Sequence, residues 1–337
     1  MGGCGAGRAG AELEHDKFMR LILMGTGPFA VPTFDALVRS RHDVVAVVTR
    51  PVSGDRGRRK VQANPVRELF AGPDVPLLSP EDVNAPDAVE PLTSFHSDVL
   101  VVCDFGQILS SRTLDVAQRG AINLHASLLP KYRGAAPINW ALWNGESETG
   151  VTVIHMTPKL DAGPCLKQAR TPIDPEEDAV QLEQRLAQLG VEQVAEALDM
   201  LERWDGETPL GDIQNQAHST KAPKLKKSHG QVDWSQPAER IYNQVRALRP
   251  WPGTYTQWQR EKGPMRLILD EVSVVDDVPV PEAASPGQVL ESAADRLVIA
   301  TGAGELAVHR LQPAGKRAMS VREFLRGYPI QVGAILE

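Results

Sequence analysis

The order of segments in residues 20–49 restricts the fold more than any other feature of this chain. A short apolar run, RLILMG from Arg20, ends at Gly25 and passes through GTGPFA into VPTFDALVRS. The latter reads as a helix, with Pro28 or Pro32 in its first turn, where a missing N–H costs little. A second apolar run, DVVAVVT, starts at Asp43. This β–loop–α–β order predicts a parallel, doubly wound sheet. Gly25, Gly27 and Ala30 fit the G-x-G-x-x-A pattern of dinucleotide sites. Those sites want an acid at the end of the second strand, and that place holds Thr49, Arg50 and Pro51. Arg50 could in principle meet an NADP phosphate, but tight turns also need glycine for conformational reasons alone. The turn is read as lining the pocket of another ligand.

Further strand-length runs follow: VPLLSP, DVLVVCDFGQIL from Asp98, GAINLHASLLP, and ETGVTVIHM from Glu148. The Val/Leu content of the Asp98 run belongs to a strand covered on both faces. From Asp174 to Trp204, Leu182, Leu186, Leu189, Val194, Leu198 and Leu201 recur at helical spacing, a packing stripe and not a cofactor site. Beyond Trp204 the chain turns polar and Gly/Pro-rich, which reads as a linker. Short strands separated by turn signals then predict a small β-barrel. The expected division is a disordered tail over 1–18, a catalytic domain over 19–204, a linker over 205–223 and a second domain over 224–337.

Net charge is −7, so a polyanionic partner would have to be met by local patches. Two exist. Residues 50–60 carry Arg50, Arg56, Arg58, Arg59 and Lys60 against Asp55 alone. Residues 221–260 carry eight Lys and Arg against Asp233 and Glu239, interleaved with Trp234, Tyr242, Trp251, Tyr255 and Trp258. Either patch could be a solvated surface; charge gathered against the global sign fits a nucleic acid channel. Cys4, Cys103 and Cys165 have no metal-type spacing, and reduced thiols in a cytoplasmic protein account for them. No apolar run approaches the ~20 residues of a membrane-spanning helix.

Chemistry is concentrated in AINLHASLLPKYRGAAP, residues 121–137. Asn123 and His125 are two apart, so on a strand they share a face. A satisfied, half-buried histidine is the plainer alternative. If the site transfers an acyl group to an amine, histidine supplies a base near neutrality and the Asn123 amide can donate to the carbonyl oxygen as it gains charge. Asp161, in a turn after the next strand, would hold the imidazolium or handle the leaving nitrogen's proton. No further nucleophile is required. On residues alone this is one constellation among several.

From Met19 onward the chain resembles the methionyl-tRNA formyltransferase family, within the 10-formyltetrahydrofolate-dependent formyltransferases. The resemblance lies in GTGPFAVP, RPVSGDRGRRK, NLHASLLPKYRGAAPINWALWNGESETGVTVIHMTPKLDAGP, LRPWPGTY and LQPAGKRAM. It implies a Rossmann-like formyltransferase domain with a parallel sheet, followed by a smaller OB-like β-barrel that binds tRNA. It implies Asn123, His125 and Asp161 as catalytic residues, and Leu128, Leu129, Pro130 and Lys131 as folate contacts. Methionyl-initiator-tRNA would be held by Arg56, Arg58, Arg59, Lys60, Lys224, Lys226 and Lys227. It implies 10-formyltetrahydrofolate as co-substrate with no metal, and a monomer with no membrane partner is expected. A sugar-nucleotide or glycinamide ribonucleotide amine is the alternative acceptor. The family commonly has an aromatic-glycine pair and a following proline in the strand-end motif; here DFGQILSS places Asp104 before Phe105 and Ser110 for the proline. Lys159 stands where glycine is frequent, near enough in sequence to hold Asp161 charged.

Overall fold

A computed structural model of the protein describes residues 18–51, 63–72, 74–275 and 284–337. The expected tail falls almost wholly outside these, as do Arg56, Arg58, Arg59 and Lys60 of the first basic loop.

The first domain contains β1 (Arg20–Gly25), α1 (Val31–Val38), β2 (Asp43–Val48), α2 (Pro65–Leu69), β3 (Leu77–Leu78), α3 (Pro86–Ser94) and β4 (Val99–Cys103). It continues through α4 (Ser111–Leu114), β5 (Ala121–His125), α5 (Pro137–Trp143), β6 (Glu148–His155), β7 (Cys165–Pro172) and α6 (Ala179–Arg203). The sheet runs β3-β2-β1-β4-β5-β6-β7. Its first five strands are parallel, and β6 and β7 run antiparallel to their neighbours. The sheet is the expected parallel one over β1 to β5, with an antiparallel pair added at one edge. A turn and not a helix follows β6, so the chain doubles back as a hairpin. β7 was not read from the sequence: CLKQARTP alternates on an edge and lacks a buried apolar run.

Both faces of the parallel strands are covered. Leu21, Leu23, Val101, Ile122 and Leu124 pack under α1 and α6, while Ile22, Met24, Leu100 and Val102 pack on the other side. Helix α6 opens on a capping box in which Asp178 accepts from the Val180 and Gln181 amides and Gln181 reaches back to the Asp178 amide. It buries Leu182, Leu186, Val194, Leu198 and Leu201, each fully hidden side chain contributing about 1.5–3 kcal/mol. Leu189, placed in that stripe by spacing, lies at its partly buried margin.

The second domain contains α7 (Ala238–Ala247), β8 (Thr254–Trp258), β9 (Met265–Val275), β10 (Val289–Ala293), β11 (Arg296–Ala300), β12 (Glu305–Pro313), β13 (Met319–Ser320) and α8 (Val321–Gly327). Its antiparallel sheet runs β10-β11-β12-β9-β8, with β13 on β12. Residues 334–337 tie the two edges together. Ala334 and Leu336 bond to Val289 and Gly287 beside β10, and Glu337 exchanges two bonds with Gln257 on β8. The barrel is thus closed, and neither edge is left to pair with another chain.

Residues 205–223 are built into the first domain. Asp212 pairs with Cys165, Gln214 is buried, and Ala222 exchanges backbone bonds with Arg133 and Ala136. A polar, weakly periodic sequence concealed this, because the strap is held by hydrogen bonds and not by an apolar stripe. The domains meet at α5 and α7, where Asn139 donates to the Ala247 carbonyl and the buried Arg246 donates to those of Asp174 and Glu177.

Candidate active site

In an open α/β sheet, ligands bind beyond the carboxyl ends of the strands, where strand order reverses. Here the order reverses between β1 and β4, and a cavity of about 400 Å³ lies at the ends of β4 and β5. Its wall includes 104–109 after β4, 123–126 at the end of β5, 134–139 at the start of α5, and 156–161 after β6.

Gly25 and Gly27 answer to packing. A Cβ on Gly25 would fall 2.7 Å from the Cys103 carbonyl oxygen and from the Phe34 ring. One on Gly27 would fall 1.7 Å from the Asp104 carboxylate. At the end of β2, the Thr49 hydroxyl is bonded to Asn64.

Asn123 and His125 both line the cavity from β5. Among the described residues the Asn123 carboxamide has no hydrogen-bond partner, which leaves its donors for a ligand. His125 is buried, and its Nε2 lies 2.9 Å from the Tyr132 carbonyl oxygen. A carbonyl only accepts, so Nε2 carries the proton and Nδ1 presents its lone pair. Nδ1 lies 3.8 Å from Asp161 Oδ2. The Asp161 carboxylate accepts from the Gly134 amide at 2.8 Å, and its backbone carbonyl accepts from Gln214 Nε2 at 2.9 Å. Asp161 and Tyr132 hold left-handed φ values of +48° and +63°. Such strain at non-glycine residues persists only where surrounding structure fixes it. The Gln214 bonds to Asp161 and Gly163 and the Thr220 hydroxyl's bond to the Tyr132 amide, 2.8 Å, supply that restraint.

The structure brings Asn123, His125 and Asp161 to one cavity and keeps the four expected folate contacts off its wall. Leu129 is buried with its amide on Thr152 Oγ1, and the exposed Lys131 pairs with Glu146. Leu128 to Lys131 instead form a closed turn, the Lys131 amide donating to the Leu128 carbonyl, that carries the chain from His125 to Gly134. Lys159 lines the cavity but makes no ion pair with Asp161. Ser110 caps α4 by accepting from the Thr113 amide, which accounts for serine at that departure.

Sequence reading passed over Asp104 as a functional group and missed Glu183 and Gln214. Asp104 sits at φ +47° on the concave wall, exposed as a residue while its carboxylate lies over Gly27. Burial, then the charge of Glu183, pushes its carboxyl up to about 7. Burial also raises Glu183.

Lys224, Lys226 and Lys227 are exposed on the segment entering the second domain and have no ion pair among the described residues. The rest of the second basic patch is largely committed. Arg240 donates to the Trp143 carbonyl and Asn144, Arg246 is interdomain, and Arg249 pairs with Asp178 and Asp270. Of the interleaved aromatics, Trp234 is buried and Tyr242, Tyr255 and Trp258 are partly buried. Trp251 alone among them is exposed.

Residues 19–198 match the formyl transferase family, and residues 224–329 match the formyl transferase C-terminal domain. HypX from Aquifex aeolicus, solved in complex with tetrahydrofolic acid, superposes with a TM-score of 0.62 at 17% identity over 94% of this chain. It is a longer protein, of which this chain spans about half, 48%. An N-formyltransferase from Helicobacter canadensis, solved with folinic acid and dTDP-3-aminofucose, superposes with a TM-score of 0.61 at 16% identity over 87% of this chain and 99% of that one. Fold and family matches together define a two-domain formyltransferase. The chain is also 42% identical over 324 residues to the methionyl-tRNA formyltransferase of Rhodopirellula baltica, covering 94% of this chain and 96% of that protein. It belongs to the methionyl-tRNA formyltransferase family.

Proposed function

We propose that this chain moves a formyl group from 10-formyltetrahydrofolate to the α-amine of methionyl-initiator-tRNA through Asn123, His125 and Asp161. The observation that carries this is an amide with free donors, an imidazole whose free nitrogen faces inward, and a restrained carboxylate around one cavity. The tetrahydrofolic acid and folinic acid bound in the two structural neighbours support the donor class.

The amine nitrogen attacks the formyl carbon, forming a C–N bond while the bond to the folate nitrogen breaks. His125 Nδ1 takes the proton lost by the amine, and Nε2 stays on the Tyr132 carbonyl. The imidazolium then lies within ion-pair distance of Asp161. The formyl oxygen gains charge, and the Asn123 N–H₂ donates to it; one such donor is worth about 10²–10³ in rate. The proton held between His125 and Asp161 is available to the departing folate nitrogen, which closes the cycle.

The exposed lysines 224, 226 and 227 support a polyanionic acceptor, with Arg56, Arg58, Arg59 and Lys60 as the second basic contact. A reducing, cytoplasmic setting is the simplest one for an enzyme with the free thiols Cys103 and Cys165. The purified protein, given the folate donor with methionyl-tRNA or with an amino sugar nucleotide or glycinamide ribonucleotide, should formylate the tRNA. Transfer only to the small amines would overturn the acceptor.

A further inference from the structure

The wall of the catalytic cavity changes character from its depth to its mouth. Val102, Phe105, Leu109 and Ile154 line it and are buried in the core. Ile108 and Leu160 line the same cavity and are 68% and 56% exposed. Lys159, beside Leu160, is exposed and is the one lysine or arginine on that wall among the described residues. Its ammonium has no ion pair or hydrogen bond among them.

The turn that bears Lys159 and Leu160 is nonetheless fixed. The Ala162 amide and the Thr157 hydroxyl both donate to the Lys159 carbonyl, at 3.3 and 3.4 Å. Gln214 holds the carbonyls of Asp161 and Gly163 just beyond. An anchored backbone thus presents a free cation and an uncovered apolar side chain to one opening. A ligand with an apolar ring that ends in a carboxylate would cover the second and pair the first.

A 10-formyl folate has that build. Its reacting nitrogen joins the pterin through a methylene on one side and a benzoyl ring directly on the other. The ring's amide carries a glutamate with two carboxylates. The reacting nitrogen has to reach Asn123, His125 and Asp161. The pterin is uncharged and suits the enclosed part of the cavity, whereas the charged glutamate has to stay near water. The tail therefore leaves past the exposed wall. Outward from Asp161 the chain offers Leu160 and then Lys159, the order of ring and carboxylate along the donor.

We propose that Ile108 and Leu160 seat the benzoyl ring of the donor and that Lys159 binds its glutamate, so that this chain selects donors by their tail. The inference rests on the folate reading of the donor. Glycine, frequent in the family where Lys159 stands, offers neither charge nor reach, so the contact belongs to this chain's own sequence and not to the fold.

Donor kinetics test it. Wild type, Lys159→Met, Lys159→Arg and Ile108→Ser, each checked for an unchanged melting temperature, are given 10-formyltetrahydrofolate or 10-formyltetrahydropteroate, which keeps the ring and lacks the glutamate. In Lys159→Met the KM for the glutamate-bearing donor should rise about fivefold, as for a partly exposed ion pair, and Lys159→Arg should restore it. The rise should shrink with added salt. The KM for the pteroate donor should not follow it. Ile108→Ser should raise the KM for both donors, because both carry the ring; no rise there would remove the ring seat. An unchanged KM for the glutamate-bearing donor in Lys159→Met overturns the tail contact. An equal rise for both donors overturns it too, assigning Lys159 to support of Asp161, as does a rise confined to the KM for methionyl-tRNA. Titration of folinic acid into the same proteins separates this inference from the overall reaction. Binding that weakens in Lys159→Met, in a protein that fails to formylate methionyl-tRNA, overturns the acceptor reading and not the tail contact. Absence of folate binding by wild type overturns both.

Discussion

His125 has its proton assigned by one contact, the Tyr132 carbonyl, and its reactive nitrogen by exclusion. His125→Ala should therefore lower kcat by about 10²–10⁴ with the fold intact, the usual range for a general base. Asp161→Asn should lower it too while keeping the Gly134 contact. Steady-state kinetics beside circular dichroism check both, and near wild-type turnover in either would remove its assignment. Asp104 yields a prediction about stability. Its carboxyl is raised from 3.8 to about 7 in the folded state, so folding favours its protonated form. The stability this contributes, reduced by the solvent around an exposed residue, is present below the unfolded value and is lost as pH climbs from about 4 through 7. Asp104→Asn should flatten that part of the melting-temperature profile, and an unchanged slope would contradict the assignment. Asn123 and His125 were legible because strand alternation puts residues two apart on one face. The environment of Asp104 was not, since it comes from Gly27 and Glu183, which are distant in sequence.

Among the elements, β5 and the turn after β6 set the site, and glycines allow their approach. A Cβ on Gly190 of α6 would fall 2.5 Å from Leu124 Cδ2, so this glycine lets the helix close behind the strand bearing Asn123 and His125. Gly163 is more restrictive, because a Cβ there would meet the His155 carbonyl oxygen at 1.8 Å, and backbone cannot step aside as a side chain can. Gly163→Ala should displace the Asp161 turn and cost kcat at least tenfold with a lower melting temperature. Unchanged turnover would show that the turn's position is not critical. The parallel strands and α6 were readable from apolar runs and periodicity. The edge strand β7 and the strap over 205–223 were not, because ladder and side-chain hydrogen bonds leave no apolar pattern. Gln214, which holds the carbonyls of Asp161 and Gly163, is a polar residue in a stretch read as linker.

At the scale of the whole molecule, α5 and α7 join the two domains, and Lys224 lines an interdomain cavity that shares a wall with the catalytic one. The net charge of −7 confines attraction for a polyanion to local patches. Affinity for tRNA should fall steeply with salt, about one unit less of log–log slope for each phosphate-contacting lysine removed. A flat response in wild type would exclude these contacts. The barrel was foreshadowed by short strands with turn signals, whereas its closure through residues 334–337 was not, because that joint is made of backbone bonds.

The central claim, that one cavity holding Asn123, His125 and Asp161 performs formyl transfer, is tested most directly by single-turnover transfer from the folate donor to methionyl-tRNA in Asn123→Ala. Loss of one oxyanion donor predicts a chemical step slowed by about 10²–10³ with binding of both substrates kept. A chemical step at the wild-type rate would contradict the account.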